Sequence, residues 1–366
     1  MRVALVHDYL TQYGGAERVL EVLHSMYPEA PVYTSLFAPA ELPANFSAWD
    51  IHTSRLSSIP GANRDHRIWT LLYPLIFREI GKRLDDVDVV ISDSSAWSHL
   101  AQPSGDTPMI CYCHSPARFL YEDDDYLQAV RYPRPVRMVT DAVFRALRAN
   151  DQRAGRRVTR FVANSEEVRR RIRRTWDQDA IVIHPPVDVE RFRPETPVVP
   201  EDWYLVVSRL VPHKWIDLAV RASTAANVPL KVIGAGRAES RLRGMAGPTV
   251  EFLGELSDEQ VVSYMQRCKA LILPGVEDFG MTAVEAQAAG RPVFAAGAGG
   301  ALETVIDGVT GLHFAPHNEA ELTALLHKGD GHDWDVDVIL ENACRFRRRV
   351  FEEKMATLVD EVVAGR

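Results

Sequence analysis

Short apolar runs along this chain alternate with longer stretches whose apolar positions recur three and four residues apart. That is the rhythm of strands followed by amphipathic helices. Arg2–Val6 reads as a first strand, and its loop ends at Gly14-Gly15. Ala16, Val19, Leu20, Leu23 and Met26 then fall at helical spacing. Further strands are predicted at Val87–Ser92, Met109–Tyr112, Arg160–Ala163 and Ala180–His184. Asn164 and Glu167 sit at capping-box spacing ahead of a helix whose apolar stripe is Val168, Ile172 and Trp176.

Residues 185–203 contain five prolines and follow neither period, which predicts a linker. After it the rhythm restarts. Strands are predicted at Tyr204–Ser208, Leu230–Ile233, Val250–Phe252, Ala270–Pro274 and Val293–Ala295, with helices beginning at Ile216, Asp258 and Met281. Residues 342–363 read as a closing helix. Strand–helix alternation implies parallel sheets joined by right-handed crossovers. Two such sheets give an α/β chain of two doubly wound, Rossmann-like domains. One spans residues 1–186, with a returning helix at 346–366, and the other spans 187–345. Ligands of such sheets lie beyond the carboxyl ends of the strands. The expected site is therefore a central cleft faced by both domains.

Composition narrows the class. The chain has 366 residues, 46% hydrophobic and 25% charged, with four cysteines. That balance excludes a disordered chain and a disulfide scaffold. No apolar run is long enough to span a bilayer, and the start lacks the apolar stretch of a signal peptide. The expectation is a cytoplasmic protein. Net charge is −8. Residues 1–186 carry 23 basic and 23 acidic side chains, so the remainder carries the whole excess. Within the neutral half, residues 131–174 hold 14 arginines and four acids. Nucleic-acid binding is not expected, because the basic character is local. An anionic membrane surface fits it, and solvated helix faces are the competing reading.

Three segments carry chemistry. Gly14-Gly15 after the first strand lets a backbone approach a ligand at a helix N-terminus, as phosphate requires. A plain strand–helix turn is the alternative. It is neither a dinucleotide fingerprint nor a P-loop. Arg209 and Lys214, five residues apart on one strand-end loop, supply a guanidinium fork and a point charge suited to a diphosphate. Glu277 and Glu285 stand eight apart across a loop-to-helix junction, with Gly280, Met281 and Thr282 between them. Carboxylates at that spacing can accept hydrogen bonds from sugar hydroxyls.

The stretch Glu277–Glu285 resembles the E-x7-E signature of retaining glycosyltransferases of family 4, which have the GT-B fold. Gly14-Gly15, Tyr112-Cys113-His114-Ser115-Pro116, Asn164-Ser165, Pro185-Pro186-Val187-Asp188 and the stretch Ala298–Phe314 extend the resemblance over residues 1–320. It implies that Glu285 contacts the donor ribose and Glu277 the transferred sugar. Arg209 and Lys214 would neutralise the leaving diphosphate, and Gly15 would approach the distal phosphate. Gly280, Met281 and Thr282 would hold phosphate and hydroxyls through their backbone. His114 would stand near the reacting sugar.

The resemblance also implies no metal and no cofactor beyond the sugar-nucleotide donor. Cys111 and Cys113 share one strand face beside His114 but lack a fourth ligand for zinc. Asp123-Asp124-Asp125 reads as an acceptor-side loop or a solvated run. Val211–Ala219 is similar to the version found in bacterial GDP-mannose-dependent mannosyltransferases, except that His213 stands where that version has an aromatic residue and Trp215 replaces an arginine. Mannose from GDP-mannose is the expected donor, with a UDP sugar the alternative. A lipid-linked or saccharide acceptor in cell-envelope glycan synthesis, at the inner face of the membrane, suits the arginine-rich stretch. A non-catalytic nucleotide-sugar-binding subunit is the reading from another class.

Overall fold

The computed structural model describes residues 1–63, 66–84, 86–121, 134–328 and 331–365. The aspartates Asp123-Asp124-Asp125 and the first arginine of the 131–174 stretch lie outside these residues. The chain forms two compact units. One comprises Met1–His184 and Phe351–Arg366, the other Pro185–Val350. From sequence the divisions fall after 186 and 345.

The amino-terminal unit is built on seven parallel strands: β1 (Val3–His7), β2 (Val32–Thr34), β3 (Ile51–Thr53), β4 (Val89–Ser94), β5 (Met109–Cys113), β6 (Arg160–Ala163) and β7 (Ala180–Val182). Their spatial order is β3-β2-β1-β4-β5-β6-β7. The central strands β1, β4 and β5 are buried at every position, so they read as apolar runs rather than alternating ones. Alternate residues feed two cores. Ala4, Val6, Val90 and Cys111 face one, while Leu5, Ile91 and Ile110 face the other. The helix Arg348–Ala364 covers the second core with Phe351, Met355, Leu358 and Val359. It is separate from the helix Val336–Cys344, so the single closing helix predicted from sequence is two.

The carboxyl-terminal unit repeats the plan with β8 (Tyr204–Val207), β9 (Leu230–Ile233), β10 (Val250–Gly254), β11 (Ala270–Leu273), β12 (Val293–Ala296) and β13 (Gly311–Phe314). Their order is β10-β9-β8-β11-β12-β13, again all parallel. The predicted linker does not stand free. Val187, Val189, Phe192 and Trp203 are buried in this unit's core, and Val189–Phe192 forms a helical turn capped by Asp188. Its prolines concealed an apolar set that packs.

In each sheet the strand order reverses once, between β1 and β4 and between β8 and β11. Connections on either side of such a point run to opposite faces, leaving a crevice at the strands' carboxyl ends. The chemistry-bearing segments follow these strands.

Candidate active site

In the carboxyl-terminal unit, β8 leads into a loop holding Ser208-Arg209-Leu210 and the turn Pro212–Lys214. Backbone contacts fix this loop. Leu210 N donates to Ala235 O at 2.8 Å, and Ala238 N donates to Leu210 O at 2.9 Å. Gly234 (φ +126°) makes that approach possible, since a Cβ there would lie 2.0 Å from Ser208 O. A side chain at Gly236 would similarly meet Leu210 O at 2.4 Å. Arg209 is exposed on this loop, and Lys214 is half-buried.

The loop after β11 carries Glu277. Gly280, with φ +90°, turns it into the helix Met281–Ala288. Gly299 and Gly300 brace the loop from the end of β12. Gly300 N donates to Glu277 O at 2.9 Å, and a Cβ on Gly300 would stand 2.3 Å from Phe279 Cα. Phe279 is buried and packs edge-on to Phe346. The loop is thus anchored in the core on one side while Glu277 is left half-buried.

The two loops meet. Lys214 Nζ donates to both oxygens of Glu277, at 2.7 and 2.6 Å. Gly280 adjoins Glu277, and Met281 and Thr282 occupy the first helical turn, half-buried. That turn presents backbone N–H groups without intrahelical partners. Glu285 lies further along the helix and is 8% exposed. The neighbouring Trp215 adopts φ +53° and packs its ring 3.8 Å from that of His317, centroid to centroid. Trp215, which departs from the mannosyltransferase pattern, thus packs against the loop that follows β13.

In the amino-terminal unit, Gly14 precedes the helix Gly15–Met26, and Gly15 is exposed. Gly14 N donates to Glu17 Oε2 at 2.8 Å, and Glu17 is buried. His114 follows β5. Its Nε2 lies 2.6 Å from Asp93 Oδ1, at the end of β4, while Asp93 Oδ2 lies 2.8 Å from Nδ1 of His7, at the end of β1. His7 Nε2 is 3.7 Å from Glu17 Oε1. Burial pushes the His7 imidazole down, but the hydrogen bond and charge of Asp93 and the nearby charge of Glu17 outweigh it and raise its pKa to about 10. Burial likewise pushes Asp93 up, and the two imidazoles more than offset that, holding it below the usual carboxylate range.

Asp8 sits next to His7 and is also buried. It accepts four backbone N–H groups, from Ser95 and Ala96 on Oδ2 and from Trp97 and Ser98 on Oδ1, at 2.6 to 2.8 Å. It therefore shapes the turn after β4. Asn164 does not cap the following helix as its spacing predicts. Its Nδ2 donates to His114 O at 3.1 Å, and Ser165 accepts from Val168 N as the cap. Cys111 and Cys113 are both buried in one core, where burial pushes the Cys111 thiol well up.

Sequence reading missed His7, Asp8 and Asp93 and the bracing glycines Gly234 and Gly236, and gave no role to Glu17 beside the Gly14-Gly15 turn or to Gly299-Gly300 within the Ala298–Phe314 stretch. A signal was present. Polar residues closing an apolar strand, as in VALVHD and VVISDS, mark the carboxyl ends where doubly wound sheets carry their sites. Among the described arginines of the basic stretch, Arg169 pairs with Glu166 and Asp179, Arg170 with Glu167, and buried Arg171 with Glu167 and Ser115. Those pairings reduce the charge left for an external surface. No group of side chains among the described residues could hold a metal ion.

Two family models match in tandem. The model described as Glycosyltransferase Family 4 covers residues 13–191, and that described as Glycosyl transferases group 1 covers residues 188–328. An uncharacterized glycosyltransferase of Methanocaldococcus jannaschii is 31% identical over 43% of this chain and 46% of its own length. A GDP-mannose-dependent monoacylated alpha-(1-6)-phosphatidylinositol monomannoside mannosyltransferase of Corynebacterium glutamicum is 33% identical over 38% of this chain and 44% of its own. The chain thus spans just under half the length of these relatives. The crystal structure of Anabaena HepE in complex with UDP superimposes with a TM-score of 0.75 at 18% identity, over 99% of this chain and 100% of that one. That likeness shows the fold, GT-B.

Proposed function

The chain belongs to glycosyltransferase family 4, and from that premise we propose that it is a retaining hexosyltransferase. It moves mannose from GDP-mannose to a lipid-linked or saccharide acceptor. The observation that carries this reading is the Lys214–Glu277 contact at the β8/β11 switch point, bounded by Gly280 and the N-terminus of the helix Met281–Ala288. A donor would replace that internal ion pair. Glu277 then accepts from the sugar hydroxyls, and Lys214 and Arg209 take the diphosphate. The backbone at Gly280, Met281 and Thr282 adds N–H donors, and Glu285 accepts from the ribose. In the amino-terminal unit, Gly15 serves the distal phosphate and His114 the reacting sugar.

Charge develops on the departing diphosphate in the transition state. Fixed cations and a helix N-terminus stabilise it without reorganisation. In this reading no metal takes part. The mannosyltransferase of Corynebacterium glutamicum favours GDP-mannose, and the UDP complex of Anabaena HepE keeps a UDP sugar as the second donor reading.

A membrane-side acceptor draws support from the amino-terminal unit. Ile68, Leu71, Leu72 and Leu75 stand at helical spacing and are all exposed, from 42% for Leu72 to 65% for Ile68. Their neighbours Tyr73, Phe77 and Ile80 fill the core, so the segment is apolar on both faces. No helix among the described residues is long and apolar enough to cross a membrane. Peripheral attachment through this apolar strip is the form we propose.

Calorimetric titration with GDP, UDP, ADP and their sugar conjugates tests the donor. GDP and GDP-mannose should bind most tightly, and a UDP preference overturns the donor reading. Glu277→Ala should lose at least about 100-fold in turnover while retaining nucleotide binding. Transfer at the parent rate sinks the site.

A further inference from the structure

His7 and Asp93 lie outside every motif of the resemblance, and Glu17 follows its glycine pair, yet all three are buried between His114 and the Gly14 turn. We propose that these three are positioning residues. They hold the His114 ring with its Nε2 proton turned inward on Asp93, leaving Nδ1 as an acceptor for a sugar hydroxyl. The inference rests on the sugar-facing role of His114 given above and adds which ring atom acts and what fixes it.

Asp93 is fully buried, and each of its oxygens faces one imidazole nitrogen, at 2.6 Å for His114 and 2.8 Å for His7. An ionised carboxylate only accepts, so both nitrogens carry protons. A neutral His114 protonated at Nε2 has its lone pair on Nδ1. Asp93 would be costly to bury without a compensating charge. His7 supplies it, being cationic at neutral pH.

Glu17 faces the other nitrogen of His7 from the helix Gly15–Met26, and it accepts the Gly14 N–H. The same chain therefore spans from the glycine turn to His114. The other titratable groups described near it are Tyr112, Cys111 and Asp8. The Tyr112 ring lies edge-on to His114, and burial keeps its hydroxyl protonated. Cys111, paired with Ser92 on the other face of the sheet, is a thiol. The Asp8 carboxylate is spent on four N–H groups of the β4 turn.

Long-range proton–nitrogen NMR of the ¹⁵N-labelled chain tests this without any turnover. At pH 7.5 His114 should be the neutral Nε2–H tautomer and His7 doubly protonated. In Asp93→Asn the His114 tautomers should mix. His7→Gln keeps a donor for Asp93 but removes the cation, so the ring ¹⁵N shifts of His114 should move while the fold, read by far-UV circular dichroism, does not. A merely structural role would leave those shifts in place. His114 protonated at Nδ1, or a neutral His7 at pH 7.5, overturns the proposal, and both are read on the unmutated chain. A chain that transfers no sugar but shows the expected tautomer refutes the enzymatic reading while the ring assignment stands.

Discussion

The two switch points share one topology and are built by opposite means. In the amino-terminal unit, charged groups are packed inside. Glu17, His7, Asp93 and Asp8 are all nearly inaccessible, and each answers another charge or a set of N–H groups. Further in, buried Asp151 accepts from Trp176 and Tyr121 and faces His99 at 2.9 Å. In the carboxyl-terminal unit, glycines let backbone meet backbone, and the loop charges stay half-exposed. Among the described residues, the side chains of Lys214 and Glu277 pair with each other. A doubly wound sheet therefore fixes the crevice but not the means of holding it. Buried charge gives rigidity with pH sensitivity, and close-packed glycine gives rigidity without it.

The sharpest test of that contrast is Asp8→Ala. It leaves four N–H groups of the β4 turn without their acceptor, at roughly 1 kcal/mol or more each. A loss of about 4 kcal/mol is expected in urea unfolding. A loss below about 1 kcal/mol would show that the turn holds itself.

Next comes pH. The folded pKa of His7 is raised above its ordinary 6.5 to about 10. Its contribution is fully present below pH 6.5 and fades as pH climbs through about 10. Between pH 7 and 10 the chain should lose up to about 3 kcal/mol, and His7→Gln should flatten that slope. Equal slopes for both proteins would break the contrast.

In the other unit, Gly234→Ala forces a Cβ to within 2.0 Å of Ser208 O at φ +126°. It should destabilise by roughly 2 kcal/mol at any pH. A cost that varies between pH 7 and 10 would refute the division of roles.

Smallest in stability is Lys214→Met, expected to cost under about 1 kcal/mol because the pair is partly solvated. Donor affinity should nonetheless fall about tenfold or more in calorimetry. A large stability loss would make the pair structural.

Much of the fold was legible because buried parallel strands are written as continuous apolar runs. β1, β4, β5, β8, β9, β11 and β12 could all be read this way. β2 and β3, three residues each, are too short to carry a period. The helix Arg134–Gly155 was hidden by its arginines, which drew attention to charge instead of to Val143, Phe144 and Leu147 facing the core. In the site, the Glu277–Glu285 segment was legible because its parts are local. The His7–Asp93 contact joins residues 86 apart, and no spacing rule reaches past the two strands, β2 and β3, that lie between them in sequence.

What the amino-acid sequence determined by itself is the plan: two doubly wound units, glycines and cations after particular strands, and a carboxylate pair spanning a loop and a helix. Periodicity and local motifs encode these because backbone geometry repeats every two or 3.6 residues. What only the tertiary structure decided is which charges meet. Sheet order brings the ends of β1, β4 and β5 together, and there Asp93 and Glu17 make His7 a cation against its burial, with Asp93 the acceptor shared by His7 and His114. Those properties belong to the low-dielectric surroundings that distant segments create.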